Sequence, residues 1–218
     1  MRNPRRQATL EDRLQRYATS GNIRNDRLDG KELIELYRLM VFSRQFDRKA
    51  VSLQRQGRIG TYPMLEGYEA APIGSASALG PEDWVYPSYR EHGVQLARDM
   101  PIEVALSYWR GLPNRDWDVH KYWMRITTVP IASQLPHAVG HAYAARLAGE
   151  DVVTATYFGH GATSENDFHS GMNFAGVWNA PTVFICTNNR KLGFRPVSHP
   201  FAPPVKFHSL RCSDGTWV

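Results

Sequence analysis

At 218 residues and 42% apolar composition the chain can fill one core, and no apolar run in it is long enough to cross a bilayer. The formal charge of +5 suggests nucleic acid, but Arg190, Lys191, Arg195, Lys206 and Arg211 against Asp214 alone supply most of it. The basic excess therefore belongs to the chain's end rather than to a patterned binding face. Two distant cysteines, Cys186 and Cys212, exclude a disulfide framework and a cysteine metal knuckle. Together these features predict a cytoplasmic protein with no membrane and no nucleic-acid partner.

Residues 1–29 are polar, and "MRNPRRQATLEDRLQRY" is arginine-rich but broken by Glu11 and Asp12. A solvated N-terminal arm is expected, with an organelle-targeting segment as the alternative. From Lys31 the spacing of Leu33, Leu36, Tyr37, Met40, Val41 and Phe46 predicts a long amphipathic helix ending at Gly57. Glu66 to Gly80 reads as an alanine- and glycine-rich helix, and "EDWVYPSYREHGV" as a short strand, a polar turn and a third helix. "SQLPHAVGHAYAARLAG" is a helix in which Gly140, Ala144 and Ala148 fall four apart, a nearly bare side able to pack closely on another helix. "DVVTATYF" reads as a buried strand, "SENDFHSGMNFAGVW" as a helix with Phe168, Met172 and Ala175 on one face, and "APTVFICT" as a second buried strand. Strand, helix and strand at this spacing predict a parallel βαβ unit, hence an α/β fold with a parallel sheet flanked by helices.

In such a unit ligands bind in the loop after the first strand, at the carboxyl edge of the sheet. That loop is "GHG", Gly159 to Gly161, whose glycines allow close backbone approach. Ser164 with Asp167 reads as a capping pair opening the following helix, whose free N–H groups favour phosphate. The second strand ends at the same edge with "TNN", Thr187 to Asn189, offering amide oxygens to a hard cation. The two loops together predict a diphosphate held through a divalent metal. Taken singly, each feature has a plainer reading: a glycine turn, a strand-ending asparagine pair, a surface Tyr89–Arg90 pair. Only their joint order and spacing favours a site. For His92, His137, His141 and His169 no partner can be named from the sequence.

With "SLQRQGRIGTYP", "GPEDWVYPSYREHGV", "PIASQLPHAVG", "YFGHGATSENDFHSGMNFAGVW" and "APTVFICTNN" in order, residues 30–189 resemble the alpha subunit of the thiamine-diphosphate-dependent decarboxylase of 2-oxo acid dehydrogenase complexes, the pyruvate, branched-chain and acetoin group. The resemblance implies a thiamine-diphosphate-binding fold over 30–189, incomplete at its C-terminus, between the 1–29 arm and an irregular 190–218 tail. It implies that Tyr89 and Arg90 contact the cofactor diphosphate, that Ile131 supports the thiazolium ring, and that Gly159, Gly161, Ala162 and Thr163 line the diphosphate. Position 160, Asn189 and the backbone carbonyl of Lys191 would hold Mg2+, and Thr128, Pro130, Ser133 and Gln134 fall where branched-chain members hold K+. In the family the thiazolium carbanion attacks the 2-oxo carbon, CO2 leaves into the ring's electron sink, and the acyl unit passes to a lipoyl group. The implied partners are a beta subunit in a heterotetramer, a lipoyl-bearing acyltransferase and a small 2-oxo acid, pyruvate or branched-chain.

Three departures accompany the resemblance. His160 replaces the family's acid, its charged protein ligand to magnesium, so magnesium affinity is expected to fall. Tyr68 stands where relatives carry glutamine. After Asn189 the family pattern is lost and Pro196, Pro200, Pro203 and Pro204 appear, as a frameshift or truncation would produce, and the family's later cofactor-contacting loop is expected to be missing. The alternative function is therefore an inactive truncated paralogue that retains subunit packing or weak cofactor binding. A nicotinamide dehydrogenase fits less well, because the turn lacks a third glycine and no acid ends the second strand.

Overall fold

A computed structural model describes residues 30–113 and 116–188, together with the backbone of 191–192 and 195–196. They fall in two compact units, one within Arg24–Val129 and one from Pro130 onward. The fold is α/β, with parallel strands flanked by helices, as the sequence predicts. Among the described residues no helix is long and apolar enough to cross a membrane.

The first unit opens with helix α1 (Gly30–Arg55). It ends where Gly57 takes φ +69°, which lets its N–H reach Gln54 O and that of Arg58 reach Leu53 O. The helix stands where the pattern puts it, but its buried face does not. Ser43, Phe46, Asp47 and Ala50 are inside, whereas Leu33, Tyr37 and Val41 are exposed. Helix α2 (Ala70–Ala78) starts later than the composition suggests. The amides of Leu65 and Glu66 are taken by the Asp47 carboxylate, and Gly67 at φ +95° cannot continue a right-handed turn. Strand β1 (Trp84–Tyr86) is buried throughout and runs into helix α3 (His92–Ala97), followed by α4 (Ile102–Trp109). Gly93 lets α3 approach α2: a Cβ there would lie 3.1 Å from Pro72 Cγ and 3.2 Å from Ile73 Cγ1.

The second unit holds helix α5 (Gln134–Leu147), strand β2 (Thr154–Gly159), a 3-10 turn (His160–Ser164), helix α6 (Asn166–Trp178) and strand β3 (Thr182–Thr187). β2 and β3 pair in parallel from Thr154 opposite Thr182 to Gly159 opposite Thr187. Phe168, Gly171, Met172 and Ala175 form the inward face of α6. The close helix approach is made by Gly171, where an added Cβ would meet Leu135 Cβ at 3.1 Å. The Gly140–Ala144–Ala148 side of α5 is exposed instead. Two short strands, β4 (Lys191–Leu192) and β5 (Arg195–Pro196), pair antiparallel within the tail in which no periodicity was readable.

Candidate functional site

The register of β2 and β3 carries the site. With Gly159 opposite Thr187, both strands leave the sheet at one level, so the "GHG" turn and Asn188 emerge from the same carboxyl edge. Neither glycine of the turn is required by the chain itself. Gly159 has φ −80°, open to any residue, and a Cβ built on Gly159 or Gly161 would meet nothing within 4 Å. The turn faces open space.

Beneath that space the turn is firmly held. Ala162 is buried with Ala132, Leu135 and Phe158, and Phe168, Phe184 and Cys186 pack around them. Thr163 Oγ1 donates to His160 O at 2.7 Å, closing the 3-10 turn. His160 is half-buried, and its Nε2 is shielded from solvent without a hydrogen-bond partner. The Ser164–Asp167 capping pair does not form. The 3-10 turn delays the helix to Asn166, Glu165 takes the N-cap position, and no side chain bonds the first amides. Asn189 lies outside the described residues. Lys191 is described only as backbone, in β4 opposite Pro196.

Ile131 is half-exposed beside the fully buried Ala132, whose φ of +67° is costly for a residue with a Cβ. Ser133 Oγ donates to Pro130 O at 2.9 Å. Gln134 is buried, its Nε2 donating to Tyr157 O at 2.6 Å, while its Oε1 has no donor. Among the described residues no three His, Cys, Asp or Glu side chains converge as a metal cluster.

In the other unit, Tyr89 and Arg90 occupy the turn at the carboxyl end of β1, as expected. Val85 is hydrogen-bonded to Trp123 O and Arg125 N, and Pro87 O accepts from Thr128 N. Arg90 is exposed, with its guanidinium carbon 5.6 Å from the Tyr89 ring centroid. Glu91 behind it is 5% exposed, and its Oε2 accepts from Arg90 N at 3.1 Å. Burial pushes this carboxyl up to about 7, against the backbone amides and Arg90, which pull it down.

Sequence reasoning missed several buried polar groups here. Asp47 accepts from Tyr62 OH at 2.9 Å, Leu65 N at 2.8 Å and Glu66 N at 3.0 Å. Arg44 forks onto Glu69 at 2.8 and 2.9 Å. Burial pushes the Glu69 carboxyl up, but that fork and the backbone amides overcome it and leave it below its usual range. Burial and Asp47 both push the Tyr62 phenol upward. His92, for which no partner could be named, accepts from Trp109 Nε1 at 2.8 Å among Phe46, Tyr62 and Trp109, and burial lowers it to about 3. The available signal was Asp47 itself, an acid between Phe46 and Ala50 on the buried helix face.

Residues 37–194 match the family described as dehydrogenase E1 component. The chain is 42% identical over 173 residues to the 3-methyl-2-oxobutanoate dehydrogenase subunit alpha of Mycobacterium tuberculosis (strain ATCC 25618 / H37Rv), covering 79% of this chain and 47% of the relative. It is 38% identical over 184 residues to the mitochondrial 2-oxoisovalerate dehydrogenase subunit alpha of Homo sapiens, covering 80% of this chain and 41% of the relative. The Dictyostelium discoideum protein of the same description is 40% identical over 170 residues. The chain thus spans less than half the length of these relatives. With the matched residues running from α1 to β4, the chain belongs to the dehydrogenase E1 component family.

Proposed function

We propose that the chain is the alpha subunit of a branched-chain 2-oxo acid decarboxylase that binds thiamine diphosphate and works with a beta subunit and a lipoyl-bearing acyltransferase. The observation that carries this reading is the turn after β2: two glycines that neither backbone nor packing requires, over a core-anchored Ala162, facing open space beside the end of β3. That is the provision a diphosphate needs for close backbone approach. In this reading Gly159, Gly161, Ala162 and Thr163 line the diphosphate through their backbone, and Ile131 offers an exposed apolar surface to the cofactor ring. Tyr89 and Arg90 enter on sequence correspondence, the arginine as a two-pronged donor to phosphate oxygens. The cofactor, when bound, supplies the electron sink for decarboxylation. The chain's part is to hold its diphosphate. The buried, donorless Oε1 of Gln134 suits a potassium ion at that segment.

Magnesium does not fit position 160. An imidazole brings neither the negative charge nor the oxygen donor of a carboxylate and is a poor ligand for an ion that prefers oxygen, whereas Mn2+ accepts nitrogen more readily. Calorimetric titration of thiamine diphosphate, with Mg2+ and with Mn2+, into the natural chain and His160→Asp tests both statements. The natural chain should bind more tightly with Mn2+. The variant should tighten with Mg2+ by one to several kcal/mol, on the order of a partner restored to a buried charge. Equal Mg2+ affinities would remove His160 from the metal position, and no binding by either protein would overturn the thiamine reading.

A further inference from the structure

Glu91 is the buried charged group nearest the diphosphate arginine, and the proposed chemistry does not use it. Its carboxylate folds back on its own turn, with Oε2 3.1 Å from Arg90 N and the amides of Ser88 and Glu91 also directed at it. It lies at the start of α3, where Val94 N and Gln95 N bond to Glu91 O and Gln95 Nε2 donates to Thr127 Oγ1. The turn that presents Arg90 is therefore built around an acid.

We infer that Glu91 is a proton-linked positioning residue, holding the Ser88–Arg90 turn through its carboxyl group and taking up a proton when a diphosphate settles against Arg90. This rests on the reading of Arg90 as a diphosphate contact. An incoming polyanion removes from Glu91 the benefit of the guanidinium charge and adds like charge nearby. Both effects favour the neutral carboxyl, which still accepts the Arg90 N–H. Burial already holds this carboxyl near neutrality at about 7, so a small further push changes its occupancy under ordinary conditions. The other charged and titratable groups on the elements packed against α3 are engaged elsewhere or lie at the surface. On α1, Asp47 takes Tyr62 OH and the Leu65 and Glu66 amides, Arg44 takes Glu69 at the head of α2, and Arg48 takes Glu66. On α4, Glu103 is exposed, Tyr108 packs edge-on against Trp109 with its phenol pushed up by burial, and Trp109 holds His92, which is neutral. Arg90 is the charge that acts on Glu91.

The test is calorimetry of inorganic pyrophosphate binding to the full chain at pH 7, in buffers of different ionisation enthalpy. The natural chain should take up more protons than Glu91→Gln, by up to about half a proton per site for a group titrating near the working pH. Affinity should fall more steeply with rising pH in the natural chain than in the variant. Equal proton uptake in the two proteins would overturn the inference. Should Glu91→Gln not fold, carbon-13 NMR of side-chain-labelled glutamate in the natural chain decides instead: the Glu91 titration moves upward on adding pyrophosphate, or the inference fails. Arg90→Gln separates the premise from the inference. Unchanged pyrophosphate affinity in that variant removes Arg90 from the site and overturns both, whereas lost affinity there with no Glu91-dependent proton uptake overturns the Glu91 inference alone.

Discussion

Burial drives neighbouring Glu91 and His92 toward neutrality from opposite sides, and their effects on stability therefore oppose each other. His92 falls from 6.5 to about 3 on folding, so between those values the unfolded chain binds a proton that the folded chain refuses. Its contribution is complete above pH 6.5 and is lost as pH falls. Glu91 rises from 4.5 to about 7, so its contribution is complete below pH 4.5 and is lost as pH rises through 7. From about pH 4.5 to 6.5 the two slopes cancel. Glu91→Gln should unmask the histidine, with the unfolding free energy from urea titrations rising between pH 5 and 6 by roughly 1 kcal/mol per pH unit in the variant and much less in the natural chain. A flat profile in both would mean that His92 protonates freely in the fold. Neither group was legible in the sequence, where a histidine and an acid beside a surface-like arginine carry no sign of burial.

Within the elements, two glycines that look alike in sequence should respond oppositely to alanine. At Gly171 a Cβ would press on Leu135 Cβ and its carbonyl carbon at 3.1 and 3.3 Å, backbone that cannot swing away. Overpacking of about 1–3 kcal/mol should outweigh a helix-propensity gain of about 1 kcal/mol. At Gly140 a Cβ meets nothing within 4 Å, so Gly140→Ala should stabilise the chain alone by about 0.5–1 kcal/mol. Denaturant unfolding of both variants checks the pair, and a stabilising Gly171→Ala would refute the close approach. Asp47→Ala should be costlier, about 2–4 kcal/mol, because it leaves the Tyr62 hydroxyl, the buried Leu65 amide and the part-buried Glu66 amide without their acceptor. The strand-turn-strand part of the site was legible because parallel pairing forces both loops to one edge. The helix entry was not: Ser164 followed by Asp167 has the residues of a capping pair, but the 3-10 turn bonded through Thr163 and His160 uses up that stretch first.

At the scale of the whole molecule, each unit leaves apolar side chains outside. On α1 these are Leu33, Ile34, Tyr37, Val41 and Phe42, and on α5 and α6 they are Leu147, Phe174 and Val177. Such faces associate in water. The chain alone is therefore expected to self-associate at micromolar concentration, and sedimentation velocity should show a smaller species when Ile34 and Tyr37 are replaced by lysine. A monodisperse monomer in the natural chain would contradict this. The parallel register of β2 and β3 has a further, kinetic consequence. Gly159 and Thr187 pair across the whole of α6, so their contact is distant along the chain and is expected to close late. A ligand held by that pair finds no partial site in an early folding state. It should leave the refolding rate nearly untouched and appear almost entirely as slower unfolding.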